Sequence, residues 1–393
     1  MSVYPHPLFF TFAFCIALIE VQIHLTTYHW QTVVAVYHPI PPFTQHRNND
    51  HPQLLCKDYS QRRQIIVVIN QTFELSMILD ADLFQKVFST KVSYLKELND
   101  EYLDTSLAAK GITVIYRDSR YKKKVTILIN TALIVNDPSD TDKLLHKLDK
   151  HISEYFDHRY TLDDFTLSGI TLTVDIAVGN RENVSDYLKV LQRIGKVKGF
   201  SPISYDCFDD KASFCLSGNS NDTDFLLYDL ERVVTGQLLN ADAGRKQLQS
   251  ASEQTRGVLR AEVRMVKPKA IREYADATDV ANQIVELMKN STDAFMDTFA
   301  WVVPFGDFYK MDTAAEIIRS EVKDNTMRRR MLRFLALIPE KKSIHLAQKA
   351  MNCRNMDEVM KAFAKINLSP VTLSKRHEVK HLECLYGYML NGR

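Results

Sequence analysis

Between Val258 and Arg264 the chain reads Val-Leu-Arg-Ala-Glu-Val-Arg. At the two-residue period of a strand, Arg260, Glu262 and Arg264 project to one side while Leu259, Ala261 and Val263 project to the other. A strand divided in this way needs a sheet with one face packed on a core and one face left polar, which antiparallel sheets provide. Upstream, Gly169 to Ile176 repeats the division, with Thr171, Thr173 and Asp175 on a single face.

The surrounding segments fit such a sheet. Gln64 to Ile69 is rich in β-branched residues and predicts a buried strand, followed by a helix from Asp80 to Leu95. Gly111 to Arg117 and Lys124 to Val135 predict a strand pair turning at Asp118-Ser119-Arg120. Leu144, Leu145, Leu148 and Ile152 give the stretch from Ser139 to Tyr155 the spacing of an amphipathic helix. Next come a strand at Leu167 to Val178, a helix at Val184 to Ile194, and strands at Ala212 to Leu216, Asp224 to Tyr228 and Val258 to Val266. A strand-helix-strand unit recurs, and the pattern from about Asp276 onward is almost wholly helical. The expected fold is α+β: a mainly antiparallel sheet with helices on one face, then an all-helical C-terminal domain.

Residues 1–60 differ from the rest. They hold half of the 12 histidines and half of the 12 prolines, and Arg47 and Lys57 are their only fixed positive charges. Leu8 to Ile19 is an apolar run about as long as a signal-peptide core and shorter than the roughly 20 residues of a membrane span. Three readings stay open: an N-terminal anchor, a buried element, or an extension outside the folded protein. The expected division is therefore 1–60, a 61–270 α+β domain and a 271–393 basic helical domain. Six scattered cysteines without a Cys-x-x-Cys pair argue for reduced thiols in a cytoplasm, against a disulfide scaffold or zinc ribbon.

The whole chain carries a formal charge of only +2, yet Lys310 to Arg393 has 17 Lys+Arg against 9 Asp+Glu. Arg328, Arg329 and Arg330 sit there beside Met331 and Leu332. Leu368-Ser369-Pro370 breaks the chain before a helix predicted from Val371 to Leu390, with Thr372, Lys375 and Arg376 near its start. A short helix, a sharp turn and a longer basic helix form the layout of a helix-turn-helix reader, and a helical bundle with a solvated basic face reads equally well. Within that helix His377-Glu378-Val379-Lys380-His381 spells His-Glu-x-x-His, which on a helix would aim two imidazoles at one zinc ion with Glu378 as base of a peptidase. Its polar, basic flanks favour a solvated face instead.

The most informative stretch begins at Phe214. Asp175, the Ser217-Gly218 turn, Phe225-Leu226-Leu227-Tyr228-Asp229 and Leu259-Arg260-Ala261-Glu262-Val263 follow one another in an order and spacing that resemble the replication initiation factors of rolling-circle plasmids and the related relaxases of conjugative transposons. The likeness spans roughly Ile112 to Arg264. Leu230 stands where the family has a basic residue, and the His-hydrophobic-His pair of the broader endonuclease superfamily is missing. The resemblance implies a replication initiator that nicks origin DNA, a tyrosine attacking a phosphodiester to leave a 5′-phosphotyrosine and a free 3′-hydroxyl. It implies Tyr228 as nucleophile with Tyr205 in reserve, Asp175 and Glu262 as Mg²⁺ or Mn²⁺ ligands, and Arg260 and Arg264 on the phosphate. The basic helices, through Arg328, Arg329, Arg330, Thr372, Lys375 and Arg376, would hold the duplex. Expected partners are origin DNA as duplex and single strand, a host helicase and polymerase, and a second copy of the chain. The alternative is a DNA-binding protein on the same fold without the chemistry.

Overall fold

A computed structural model of the protein describes residues 69–391 apart from 93–94, 96–99, 119–122, 136, 138–139, 206–209 and 241–251. The apolar run at Leu8 to Ile19, the whole 1–60 segment, most of the strand expected from Gln64, and the Ser119-Arg120 turn lie outside the described residues. Strands β1 (Asn70–Leu79), β2 (Glu101–Asp104), β3 (Ile112–Asp118), β4 (Lys123–Asn130), β5 (Thr166–Ala177), β6 (Phe200–Pro202), β7 (Ser213–Gly218), β8 (Thr223–Asp229) and β9 (Val258–Met265) form one sheet. Its order is β2-β3-β4-β1-β5-β9-β8-β7-β6, and every neighbouring pair is antiparallel.

Helices α1 (Ala81–Val92), α2 (Thr131–Ile134), α3 (Thr141–Tyr155), α4 (Arg181–Leu191), α5 (Leu230–Asn240), α6 (Pro268–Ile271) and α7 (Val280–Val302) accompany the sheet. The recurring unit is visible in space. β1-α1-β2-β3-β4 and β5-α4-β6-β7-β8 each run from a long central strand through a helix to an edge strand and a returning hairpin. The two units meet where β1 pairs with β5, and β9 is inserted between β5 and β8 in the second.

Period-two alternation decides which face the helices cover. Phe73 and Leu75 of β1, Ile127 and Ile129 of β4, Leu172 and Val174 of β5, Phe225 and Leu227 of β8, and Leu259, Ala261 and Val263 of β9 are all buried in one core. Helix α3 adds Leu144, Leu148 and Ile152 to it, and α4 adds Val184, Leu188 and Leu191. Helix α7 starts at an Asp279 cap, whose carboxylate accepts from Asn282 N at 2.8 Å. Its buried Ile284, Leu287, Met288, Ser291, Phe295, Phe299 and Val302 recur at helical spacing. Phe299 is fully buried, and such a side chain is worth about 2–3 kcal/mol of burial. Helix α5 is the departure from helices on one face. Its Leu230 and Val234 pack with Leu226 and Tyr228 on the opposite, polar side.

The C-terminal region adds α8 (Met311–Glu321), α9 (Asn325–Lys341), α10 (Ile344–Met351), α11 (Met356–Lys365) and α12 (Leu385–Asn391), with a small ladder of β10 (Phe308–Tyr309) on β11 (His381–Leu382). Ser343 caps α10, its Oγ accepting from Leu346 N at 3.2 Å. One continuous core runs from Phe73 through Phe299 and Phe334 to Met389, so the boundary expected at 270/271 falls inside shared packing.

The helix expected from Val371 to Leu390 is corrected. Leu368, Ser369, Val371, Thr372 and Leu373 are all buried, at 0 to 3% exposure. Burial on every side is not the pattern of an amphipathic helix, and the segment lies extended beside β10. Leu373 N donates to Tyr309 O at 2.9 Å, and Lys310 bridges to Leu373 in parallel. Gly306 makes room for it: its φ is +115°, and a Cβ there would lie 2.4 Å from Leu368 C. Only Leu385–Asn391 is helical. The helix-turn-helix layout built on Thr372, Lys375 and Arg376 therefore does not form.

Candidate active site on the polar face of the sheet

Strand register assembles the polar face. Asp175 of β5 and Tyr228 of β8 both stand opposite Arg260 of β9, one on each side. Glu262 lies between Thr173 and Leu226, and Arg264 between Thr171 and Asp224. Each arginine of the row thus has a carboxylate on a neighbouring strand, Asp175 beside Arg260 and Asp224 beside Arg264, whereas Glu262 has Thr173 and Leu226 beside it.

The side chains bond along this row. Tyr228 Oη donates to Glu262 Oε1 at 2.5 Å, and the other oxygen, Oε2, accepts from Arg264 Nε at 2.9 Å and Nη2 at 2.6 Å. Arg260 grips Asp175 with both prongs, Nε to Oδ1 at 2.6 Å and Nη2 to Oδ2 at 2.7 Å. The guanidinium of Arg264 also lies over the ring of Tyr205, 5.9 Å from its centroid, and Tyr205 Oη donates to Asp224 Oδ2 at 2.8 Å. Two phenols, three carboxylates and two guanidiniums share the face.

This face is largely closed to solvent. Glu262 is 2% exposed, Arg264 and Tyr228 are 5%, and Arg260 is 7%. Burial, and then the Glu262 carboxylate beside it, hold the Tyr228 phenol well above its usual range. Burial and Asp224 do the same to Tyr205, and burial pushes the nearby Cys215 thiol up to about 12. Burial works against the charge on Arg260, but Asp175 more than offsets it and leaves the guanidinium more firmly protonated than usual.

Sequence reasoning names Tyr228, Glu262, Arg264, Asp175 and Arg260, but not that Arg264 holds Glu262 and Arg260 holds Asp175. It passes over Asp224, although counting back from Tyr228 by twos reaches it. A divalent ion fits these carboxylates poorly as they stand. Both oxygens of Asp175 and both of Glu262 already accept hydrogen bonds, and a cation there would face two guanidiniums. Among the described residues no three His, Cys, Asp or Glu side chains cluster in a metal-binding arrangement.

The remaining expected contacts are dispersed. Arg328 is occupied with the backbone at the start of α9, its Nε donating to Val322 O at 2.8 Å, whereas Arg329 is exposed and Arg330 half-buried. Thr372 is 2% exposed and cannot touch DNA. Lys375 and Arg376 are exposed on a non-helical turn.

The zinc reading is also corrected, because His377 and His381 are not on a helix. His377 is buried, Nδ1 accepting from Ser374 N at 3.0 Å and Nε2 lying 3.3 Å from Asp186 O. His381 stacks on Tyr309 at 4.6 Å and pairs with Asp307 at 3.2 Å. Glu378 is exposed beyond them. The described residues contain no helix long and apolar enough to cross a membrane.

Compared with known proteins, the chain matches no protein-family model, and no curated protein matches its sequence.

Proposed function

We propose that the protein starts DNA replication by nicking one strand, with Tyr228 as the nucleophile. The observation that carries this reading is the 2.5 Å hydrogen bond from the Tyr228 hydroxyl to Glu262, with Arg260 and Arg264 on the same strand to either side. In the proposed step Oη attacks a phosphorus atom, its proton passes to Glu262 Oε1, and the P–O bond to the 3′ oxygen breaks. The departing 3′ oxygen takes up a proton from water, and a 5′-phosphotyrosine and a 3′-hydroxyl result. Arg264, released from Glu262 as that group is neutralised, and Arg260 offset charge on the phosphoryl oxygens. The scissile strand reaches Oη by displacing the apolar cover that Leu230 and Val234 of α5 contribute. Mg²⁺ or Mn²⁺, which the resemblance implies, would need Arg260 and Arg264 to let go of Asp175 and Glu262. A host helicase and polymerase would extend the 3′-hydroxyl.

A second reading, a DNA-binding protein that kept the sheet without the cutting, is favoured by one observation. Tyr228 is 5% exposed, and Asp175 and Glu262 each hold a guanidinium. Incubating the full chain with a random pool of single-stranded DNA and Mg²⁺ separates the two. An adduct that survives SDS, is absent with Tyr228→Phe and carries phosphotyrosine is the expected result. No adduct from the wild type, or one from the Phe variant, refutes the assignment.

A further inference from the structure

We propose that a lysine cluster, formed where residues 195–198 dock on the turn between α9 and α10, grips the phosphate backbone of a nucleic acid. The inference rests on the DNA reading above and gives it a binding surface away from the Tyr228 row. The docking is specific. Gly195 has φ +60°, and a Cβ there would lie 2.3 Å from Lys342 O and 3.1 Å from Ser343 Cα, so the two backbones touch. Ser343 Oγ and His345 N both donate to Lys196 O, at 2.9 and 3.1 Å. Trp301 Nε1 donates to Lys198 O at 2.7 Å.

These bonds carry Lys196 and Lys198 across the chain to Lys341, Lys342 and Lys349. Lys198, Lys341, Lys342 and Lys349 are exposed and Lys196 is half-buried. His345 reports their closeness independently, since partial burial and then the ammonium groups of Lys349, Lys196 and Lys198 hold its imidazole below the usual value. The 192–194 turn that leads into this segment packs on α9. There Arg193 Nε is buried without a hydrogen-bond partner, and burial lowers the guanidinium's pKa. Among the described residues the acid paired with the cluster is Glu340, 2.8 Å from Lys341. Positive charge from three segments is therefore brought together.

The layout of the cations matches a phosphodiester backbone. Ammonium groups act as point charges on flexible stems, and several of them spread over three segments suit a polyanion with charges spaced along its length, as successive phosphates are. A membrane surface would want a face of several apolar anchors among the lysines, and Leu346, 45% exposed, stands alone there among the large exposed apolar side chains of the described residues.

The test measures binding of labelled duplex and single-stranded DNA to the full chain by fluorescence anisotropy over a range of salt. Lys196→Glu/Lys342→Glu/Lys349→Glu should weaken duplex binding at least ~100-fold near 0.1 M salt and flatten the log–log salt slope by about 2–3, since each phosphate contact contributes roughly −0.9. The neutral Lys→Gln triple variant should show the same direction at smaller size. Lys143→Glu, exposed on α3, should change neither. Circular dichroism identifies any variant that fails to fold, and for that case the Gln variant decides. Unchanged affinity and slope in a folded triple variant overturn the inference, as does wild-type protein that binds anionic phospholipid vesicles but no DNA. Binding lost in the triple variant while wild type forms no tyrosine adduct keeps the inference and removes the nicking reading.

Discussion

Replacing Asp175 by Ala removes the counter-ion of Arg260, and the structure sets the size of the effect. The Arg260 side chain is 8% exposed and Asp175 accepts from both its prongs. Removing one partner of a buried pair costs about 3–5 kcal/mol because a desolvated charge is left behind. The lower end applies, about 3 kcal/mol, since the Asp175 side chain keeps 20% exposure and water can partly replace it. Replacing both residues, Asp175→Ala with Arg260→Met, deletes the charge along with its partner and should recover about 2 kcal/mol of that loss. Equilibrium urea unfolding in EDTA measures all four corners of the cycle. The assay also separates two roles for Asp175. If this carboxylate waits for a metal, deleting it in EDTA relieves repulsion and leaves stability level or higher. If it holds Arg260, stability falls. A loss under about 1 kcal/mol for the single variant, or a double variant as unstable as the sum of the singles, refutes the reasoning.

Thr372→Lys places a charge in a 2%-exposed position and should cost about 4 kcal/mol or more, seen as loss of soluble protein or of the thermal transition; an exposed recognition helix would have tolerated it. His377, held below its ordinary 6.5 by burial against the opposing pull of Asp186, takes up a proton in the unfolded chain before it does in the fold. Its contribution to stability is therefore complete above pH 6.5 and declines as pH falls below it, by up to about 1.4 kcal/mol per pH unit. Urea midpoints from pH 7 to 5 should show His377→Gln losing that part of the acid sensitivity, and equal slopes in both proteins would contradict the assignment.

The strands of the second half were legible because their alternation is local. Val258 to Arg264 divides cleanly by twos, and Leu259, Ala261 and Val263 do face the core. The end of the chain misled for the opposite reason. Val371 to Leu390 has no Gly or Pro until Gly387 and reads as helix, but its first residues, Val371 to Leu373, are packed from all sides by elements distant in sequence, and tertiary burial overrode propensity there. The His-Glu-x-x-His spelling failed with the helix that would have aligned its imidazoles.

At the candidate site, residue identities and their faces came from the chain alone, since side-chain direction along a strand follows from backbone geometry. Which guanidinium holds which carboxylate did not. Glu262 turns to Tyr228 and Arg264, and Asp175 to Arg260, because β9 entered between β5 and β8 in one particular register. The docking of Lys196 on Ser343 is likewise set by a close approach of two distant backbones, a contact that no local pattern encodes.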